Sequence, residues 1–299
     1  MFRNLRLYRL HSEWPQSEQA LSQQLENLAF KPCGSLTERS AGWESPAEGN
    51  PLLARRVGGV DLIQLREQSR VLPVAAINEA LDERMAEFEQ RTQRKPGRKE
   101  KRELKDEIYA QLLPRSLLKS DRVQGFCIRS EITSETLIGV GSASQAQVDR
   151  FLDALRAALG SLNVTPLDFA SPVSALLVNT YLGSGPRNLV VGRECKMVDA
   201  AGTGASVNWN DIDILDGSVR RHVRDGLKID RLALSYGEVM SFVLDQQMVL
   251  RKIRISGDEL SDDTEEEEPL ARLDARLVLF AGTLSRLMLG LKQALGGYA

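Results

Sequence analysis

The chain has 299 residues, of which 42% are apolar and 27% charged, and its formal net charge is -2. This composition is typical of a globular protein with a substantial core, and no apolar run reaches the roughly 18–20 residues of a membrane-spanning helix. Cys33, Cys127 and Cys195 lie too far apart to form a disulfide framework or a metal-binding pair, so we interpret them as buried side chains of a cytosolic protein. Charges interrupt residues 1–14 every few positions, so we expect no signal peptide.

The N-terminal region mixes strand and helix patterns. Apolar residues alternate with a period of two over residues 5–10, which predicts a strand. Residues 17–30 place apolar side chains at helical spacing behind Ser17, a suitable N-cap. Residues 60–68 predict a further strand.

Residues 73–114 predict an antiparallel helical hairpin, a finger inserted into the rest of the fold. Pro96 cannot continue a helix and Gly97 adopts positive φ freely, so together they mark a turn between two helical arms. Apolar residues recur every three or four positions in both arms, namely Ile77, Leu81, Met85 and Phe88 before the turn and Leu104, Ile108 and Leu112 after it. Each arm is expected to bury one stripe against the other.

Positive charge is concentrated at this turn. Residues 91–105 contain eight Lys or Arg and only two Glu. Two interpretations stay open from composition alone: an ordinary solvated helix face, or a surface that contacts a polyanion. The balancing charge lies in residues 257–268, with eight acidic residues and no basic one. That run is either a solvated loop or a barrier that keeps nucleic acid away.

Behind the hairpin the strand pattern returns. Residues 124–130 and 135–141 predict a strand pair, and 142–162 predict a helix that starts with a capping box formed by Ser144 and Gln147.

The C-terminal part predicts a sheet and a long helix. We expect short strands over residues 176–198 and a three-stranded meander over 231–255. Leucines in the last helix, residues 269–295, follow a heptad-like spacing. This seam fits either packing on the chain's own sheet or a subunit interface. The expected fold class is α+β, with strand-pair and meander sheets covered by helices.

The sequence offers little that resembles a catalytic site. His11 and His222 are interpreted as surface or structural residues, and no pattern matches metal-ligand spacing or a serine nucleophile. The glycine-rich segment 139–144 lacks the third glycine of a dinucleotide-binding loop. We therefore expect a protein that is not an enzyme and has no cofactor or metal.

An ordered set of segments resembles the RdgC family of recombination-associated proteins. These segments are FRNLRLYRL, LENLAFKPCGSLTERSAGW, RVLPVAAINEAL, KEKRELKDEIYAQLLPRSL, ASQAQVDRFLDALRAALGSLNVTPL, DGLKIDRLALSY, FVLDQQMVLRKIRI and LDARLVLFAGTLSRLM, followed by a terminal LGG. The resemblance covers nearly the whole chain.

This resemblance implies a cytoplasmic, nucleoid-associated protein that forms a ring-shaped homodimer around double-stranded DNA. It also implies binding without sequence preference, with single-stranded DNA left open as a second ligand, and restraint of RecA-mediated recombination. In the family the finger closes one side of the ring. The division expected from it is a central domain of residues 1–72 plus 115–170, a finger of 73–114 and a C-terminal dimerisation domain of 171–299.

Two departures from the family pattern concern residues near the expected contacts. Arg115 matches the family, but Leu117 stands where an aromatic residue is usual. Within residues 207–218, Trp209 and Asn210 replace expected Lys and Gln, so we do not carry a basic site over to that segment.

The sequence thus yields a set of candidate site residues. The candidate DNA-binding residues are Arg91, Arg94, Lys95, Arg98, Lys99, Lys101, Arg102, Lys105, Arg115 and Lys119. The candidate dimer-interface residues are Leu117, Leu284, Leu287 and Leu291. The alternative function is that of an adaptor whose basic hairpin binds acidic proteins without any nucleic acid.

Overall fold

A computed structural model describes residues 1–130, 135–256 and 268–299. Their contacts divide the chain into two compact units. Unit 1 consists of Met1–Asn27, Ser45–Gln64 and Val123–Ala299, and unit 2 consists of Leu28–Glu44 and Leu65–Arg122. Most of the acidic run, residues 257–267, lies outside the described residues. The three-part division expected from the family resemblance stays a prediction.

Helices and antiparallel strand pairs occur in the same chain, so the predicted α+β class is confirmed. The strands are β1 Arg6–Leu10, β2 Arg39–Glu44, β3 Ala54–Val57, β4 Val60–Val71, β5 Leu117–Ser130, β6 Glu135–Val140, β7 Val164–Pro166, β8 Leu189–Asp199, β9 Ser206–Asn210, β10 Leu227–Tyr236, β11 Met240–Asp245 and β12 Leu250–Ile255. The helices are α1 Glu18–Glu26, α2 Val74–Thr92, α3 Arg98–Leu112, α4 Gln145–Leu159, α5 Val173–Leu182, α6 Gly217–Arg224 and α7 Pro269–Ala294.

Unit 1 contains parts of two sheets. In the first, the strands follow the order β4, β5, β6, β1, β7, and β3 also pairs with β4. In the second, the order is β12, β11, β10, β8, β9, with antiparallel pairs throughout. The predicted meander is therefore confirmed as β10, β11 and β12. In unit 2, β2 neighbours β4, and residues of β4 and β5 belong to both units.

The predicted helix caps have different outcomes. Ser17 caps α1, because its hydroxyl accepts a hydrogen bond from the Ala20 N–H at 3.1 Å. The capping box of α4 is wrong: Ser144 occupies the N-cap position but makes no side-chain cap bond. Instead, the Ser142 hydroxyl donates to Gln147 at 2.6 Å, which removes the Gln147 side chain from that role.

The prediction of strands across residues 176–198 is half wrong. The chain is helical over Val173–Leu182 and becomes extended only at Leu189–Asp199. A short apolar run fits a buried helix and a buried strand equally well, and β-branched residues misleadingly favoured the strand. Gly183, with φ of 88°, ends the helix as a left-handed C-cap.

Helix α7 is central to the core of unit 1. The rings of Phe280, Phe2 and Phe126 meet at centroid distances of 4.9, 5.0 and 5.5 Å. Leu284, Leu287 and Leu291 are each 1% exposed within the same hydrophobic cluster. Of the two interpretations of the leucine seam, packing on the chain's own core is therefore the one observed.

A polar network around the buried Asp61 fixes the segment that precedes α1. Asp61 accepts a hydrogen bond from the Trp14 indole at 2.8 Å and forms an ion pair with Arg56. Arg56 also donates to the Pro15 carbonyl at 2.9 Å, and Arg129 donates to the same carbonyl at 2.9 Å. Replacing Arg56 would leave the buried Asp61 carboxylate without its cation, which is the costly case.

We predict that Leu287→Ala lowers the free energy of unfolding by about 2–5 kcal/mol, because it leaves a cavity in a packed core. Leu279→Ala on the same helix is the matched control, since Leu279 is 42% exposed. It should change the free energy of unfolding by no more than about 0.5 kcal/mol. Urea denaturation followed by circular dichroism measures both values, and equal effects would contradict the core position of Leu287.

Candidate nucleic-acid interface

The candidate site is built on helices α2 and α3 of unit 2, at the position of the expected hairpin. They pack through a cluster centred on the buried side chains of Ile77, Leu81 and Ile108. Met85, Leu104 and Leu112, also predicted from the spacing, are half-buried against that cluster. Six of the seven residues of the predicted apolar pattern thus pack the two helices together, and the seventh, Phe88, lies outside this cluster.

The turn between the helices is fixed by its backbone. Gln93 ends α2 in the left-handed conformation, with φ of 58°, and its N–H donates to the Glu89 carbonyl at 2.8 Å. The Thr92 hydroxyl donates to the Phe88 carbonyl at 2.7 Å. Gly97 then serves as the N-cap of α3 with φ of -69°, so the positive φ expected at Gly97 is taken by Gln93 instead.

One ion pair closes the turn. Arg94 donates to the two oxygens of Glu100 at 2.8 and 2.6 Å, and the Gly97 N–H donates to Glu100 at 2.8 Å. The bond from Arg94, followed by that from Gly97, lowers the pKa of Glu100 to about 2. The same hydrogen bond raises the pKa of Arg94. Arg94 is therefore committed to holding the turn, although it was predicted as a DNA-binding residue.

The Phe88 ring makes cation–π contacts with two arginines on the α2 side of the turn. The guanidinium of Arg94 lies 5.2 Å from the centre of the Phe88 ring, and that of Arg91 lies 6.0 Å away. Both distances lie at or within the range of cation–π attraction. The ring thus brings two like charges close together at the turn.

The other cations of the turn remain available for a ligand. Among the described residues, no carboxylate lies within 4.0 Å of five of them, namely Lys95, Arg98, Lys101, Arg102 and Lys105. All five are exposed. Lys99 is 3.9 Å from Glu103 but 91% exposed, and such a solvated pair contributes little.

Charge is segregated along the hairpin. Residues 91–105 carry eight cations and two acids, whereas residues 74–90 carry one cation and five acids. Asp106 and Glu107 add further negative charge on α3. The positive potential is therefore confined to the half of the hairpin near the turn, and a polyanion would be attracted to that half alone.

The root of the hairpin is held by Arg70. Its guanidinium donates to the carbonyls of Gly34, Leu113, Pro114 and Ser116 at 3.0–3.3 Å. Sequence reasoning missed Arg70, because a lone arginine at a strand end carries no signal for such contacts. It fixes the segment that carries Arg115 and Leu117.

The candidate residues that follow the hairpin are all exposed. Lys119 forms an ion pair with Asp121 at 3.0 Å, whereas no carboxylate of the described residues lies within 4.0 Å of Arg115. Leu117 is 80% exposed, so most of its apolar side chain is in contact with solvent.

The other predicted interface residues need correction. Leu284, Leu287 and Leu291 lie in the core of unit 1, so a second copy of the chain cannot contact them while that core is intact. The heptad-like spacing correctly predicted that these leucines are buried, but it did not show which surface they pack against.

A second basic surface, in unit 1, was also missed. Arg221, His222 and Arg224 are exposed on α6, and Lys228 is exposed just beyond it. The His222 ring lies 5.2 Å from Trp209, which is half-buried against the core. The run RRHVR at 220–224 was the available signal.

The residues considered for chemistry are engaged elsewhere. His11 hydrogen-bonds Thr165 at 2.8 Å on the surface. Burial raises the pKa of the Cys127 thiol and raises that of Cys195 to about 12, so both sulfurs are poor nucleophiles. The described part of the chain contains no group of three or more His, Cys, Asp or Glu suited to a metal ion. None of its helices combines the length and hydrophobicity that crossing a membrane requires.

Comparison with known proteins gives one consistent family. Residues 1–298 match the family described as "RdgC: Putative exonuclease, RdgC". A protein named "Recombination-associated protein RdgC" from Shewanella sp. (strain ANA-3) is 32% identical over 300 residues, covering 99% of this chain and 97% of that protein. Its namesake from Pseudoalteromonas atlantica is 29% identical over 287 residues, covering 95% and 94%. The Shewanella loihica protein is 32% identical over 301 residues, covering 99% and 98%.

We predict that Arg94→Gln raises the pKa of Glu100 from about 2 towards its ordinary value, because the bond from Arg94 is the largest cause of the shift. Since the folded-state pKa lies below the value of about 4.3 for free Glu, the pair stabilises the turn above that pH, and this stabilisation is lost as the pH falls through about 2. An NMR titration of the Glu100 carboxyl measures the change. Lys99→Gln is the control and should leave the midpoint in place; an unmoved midpoint in Arg94→Gln would contradict the assignment.

Proposed function

Because the chain belongs to the RdgC family, we propose that it is a sequence-independent double-stranded DNA-binding protein that acts in recombination. In this proposal it encircles DNA as a homodimer and restrains RecA-mediated strand exchange by occupying the DNA. The observation that carries the DNA-binding step is the group of exposed cations on α3 and its turn that have no carboxylate partner among the described residues.

The charge pattern supports phosphate contact rather than base reading. A Lys or Arg that already forms an ion pair gives up its attraction to the carboxylate when it binds a phosphate. An unpaired, solvated cation has no such attraction to lose. Lys95, Arg98, Lys101, Arg102 and Lys105 are of the second kind, and each phosphate that they neutralise releases counterions from DNA. Contacts with the backbone carry no sequence information, so the proposed binding is independent of sequence.

The proposed assembly is a homodimer whose hairpins meet at one side of the ring. The exposed Leu117, with the nearby Leu118 at 46% exposure, supplies apolar area next to the basic hairpin. In this proposal Leu117 is a closing contact, and Arg115 and Lys119 border the DNA beside it. The protein is further proposed to be cytoplasmic and associated with the nucleoid, where its DNA ligand lies.

The name of one match and those of the relatives point to different activities. The family description includes "putative exonuclease", whereas the relatives are named for an association with recombination. We propose a binding role without catalysis, because the chemistry-bearing residues described above are engaged in the fold. The alternative is an adaptor whose basic turn binds acidic proteins; the same unpaired cations support it, but the recombination-associated relatives favour DNA.

We predict that replacing Lys95, Arg98, Lys101, Arg102 and Lys105 together by Gln weakens duplex binding and makes it less dependent on salt. The slope of log K against log salt should become shallower by about 0.9 for every phosphate that the variant no longer neutralises. Fluorescence anisotropy with two unrelated duplexes between about 50 and 200 mM salt measures affinity, slope and sequence preference.

The matched control is Arg84→Gln, which removes a cation of the same hairpin that is already paired with Glu87 at 3.0 Å. It should leave the salt slope unchanged. If the fivefold variant binds duplex DNA like the original protein, the hairpin is not the DNA surface; loss of binding to an acidic polypeptide alone would favour the adaptor.

We predict that the protein is retained on circular duplex DNA after a salt wash but dissociates from the same DNA once it is linearised, because a closed ring slides off free ends. Retention is measured by co-sedimentation, together with the native mass of the protein. Equal retention on both forms would contradict encirclement. The linear DNA should keep its length in the presence of Mg²⁺, and shortening from its ends would restore the exonuclease description.

A further inference from the structure

A groove of about 580 Å³ lies in unit 1, where helices α5 and α7 both end. One wall is the exposed side of α5, and the second is the last turn of α7. The third is the loop of residues 184–188, which joins α5 to β8. All the residues that line the groove belong to unit 1, so it shares none with the basic hairpin.

The walls of this groove are fixed by the fold. The Ser171 N–H donates to the Leu295 carbonyl at 2.9 Å, which ties the segment before α5 to the end of α7. The loop lies close against α5 at Gly185, where a Cβ atom would be only 2.3 Å from Oγ1 of Thr180. Because only glycine permits this approach, the loop has a defined position. The groove is therefore preformed, as ligand sites usually are.

Three carboxamide side chains surround the groove and are not used by the fold. Asn179 comes from α5, Asn188 from the loop and Gln293 from α7. All three are exposed, and none of these side chains hydrogen-bonds to another residue that the structure describes. A carboxamide carries both an acceptor oxygen and a donor NH₂ group, so it can form two hydrogen bonds with a ligand that offers one group of each kind.

Gly290 leaves room on the α7 side of the groove. It lies inside the helix, where glycine is less favourable than alanine. A Cβ atom at this position would lie 3.4 Å from Nδ2 of Asn188, so a longer side chain would occupy the space next to that amide. The helix thus has its least favourable residue type, proline apart, at a position where a side chain would fill the groove.

The chemistry of the lining restricts the class of ligand. Among the described residues that form the groove, none is charged, so a phosphate or carboxylate would meet no cation there. None is aromatic either, so a nucleobase or a sugar ring would find no surface on which to stack. Apolar side chains, those of Ala175, Leu176 and Leu295, lie between the carboxamides.

We propose that this groove binds an extended, uncharged segment of a partner protein. Each residue of such a segment offers one N–H and one C=O group, which together complement a carboxamide. Small or apolar side chains of the segment would cover Ala175, Leu176 and Leu295. The contact goes beyond the proposed DNA binding, because it uses neutral groups where the hairpin uses cations.

An NMR titration with a blocked peptide tests the ligand class. The probe is acetyl-tetraalanine-amide at about 1–10 mM, a concentration that detects weak binding. The side-chain NH₂ signals of Asn179, Asn188 and Gln293 should shift along one saturating curve. Thymidine, glucose and inorganic phosphate at the same concentration should leave these signals in place. Absence of shifts with the peptide, or shifts with thymidine instead, would overturn the proposal.

Filling the groove provides a matched pair of variants. Gly290→Leu should raise the dissociation constant of the peptide at least roughly tenfold, because the new side chain takes its space and its hydrogen bonds. Gly282→Leu makes the same change in the same helix, but the nearest atom to its Cβ, at 3.9 Å, is the end of the Arg286 side chain. This control should bind the peptide like the original protein.

A smaller change at an exposed position covers the case in which Gly290→Leu fails to fold. Asn188→Ala removes one carboxamide and should weaken peptide binding roughly threefold to tenfold. Circular dichroism checks the folding of each variant. Peptide binding that is unchanged in a folded Gly290→Leu protein, or in Asn188→Ala, contradicts the proposed site.

Two further measurements separate this site from the proposed DNA surface and homodimer. Gly290→Leu should keep the duplex affinity, the salt slope and the native mass of the original protein. A loss of duplex affinity would identify nucleic acid as the occupant of the groove, and a loss of native mass would identify a second copy of the chain. Either result overturns the partner segment, whereas failure of the peptide titration alone leaves the proposed DNA binding untouched.

Discussion

Mutual repulsion of like charges at the hairpin turn is the constraint on which the candidate site depends. Eight cations within fifteen residues would spread apart in a free chain. The hydrophobic seam around Ile77, Leu81 and Ile108 brings the two helices together, and the Arg94–Glu100 pair then closes the turn. The chain thus commits one of its cations to structure, and the remaining ones are held at high local density on a fixed scaffold.

The segregation of charge along the hairpin follows from the same arrangement. Among the described residues, no carboxylate of α2 lies within 4.0 Å of the exposed cations of α3, so these cations keep their charge unpaired by α2. A near-zero net charge for the whole chain therefore conceals a strong local field. This explains how a slightly acidic protein is compatible with a polyanionic ligand, and why total charge is a poor guide to that question.

The edges of the second sheet pose a different physical problem. Backbone N–H and C=O groups at a sheet edge must be satisfied, by water or by another chain. Arg3 and Leu5 satisfy the β12 edge within the chain, whereas β9 offers its groups without any charge to repel a partner. The leucines of α7, in contrast, are buried and stabilise the core of unit 1.

The sequence by itself determined the elements whose signals are local. The spacing of apolar residues located α2, α3, α4 and α7, Ser17 marked the start of α1, and the ordered family segments identified the family over nearly the whole chain. The spacing of apolar residues shows which side chains of a helix or strand are buried. It can be read from the sequence without knowing any distant contact.

Only the tertiary structure decided which partner each buried or exposed group has. The leucine seam of α7 faces its own core, and an apolar run expected as strand became α5, because burial alone does not distinguish these outcomes. The commitment of Arg94 to Glu100, the hold of Arg70 on the hairpin root and the open edge at β9 depend on residues brought together by folding. Such features produce no repeating pattern in the sequence. Each occurs at one place only and joins residues that are distant in the chain or lie across a single turn.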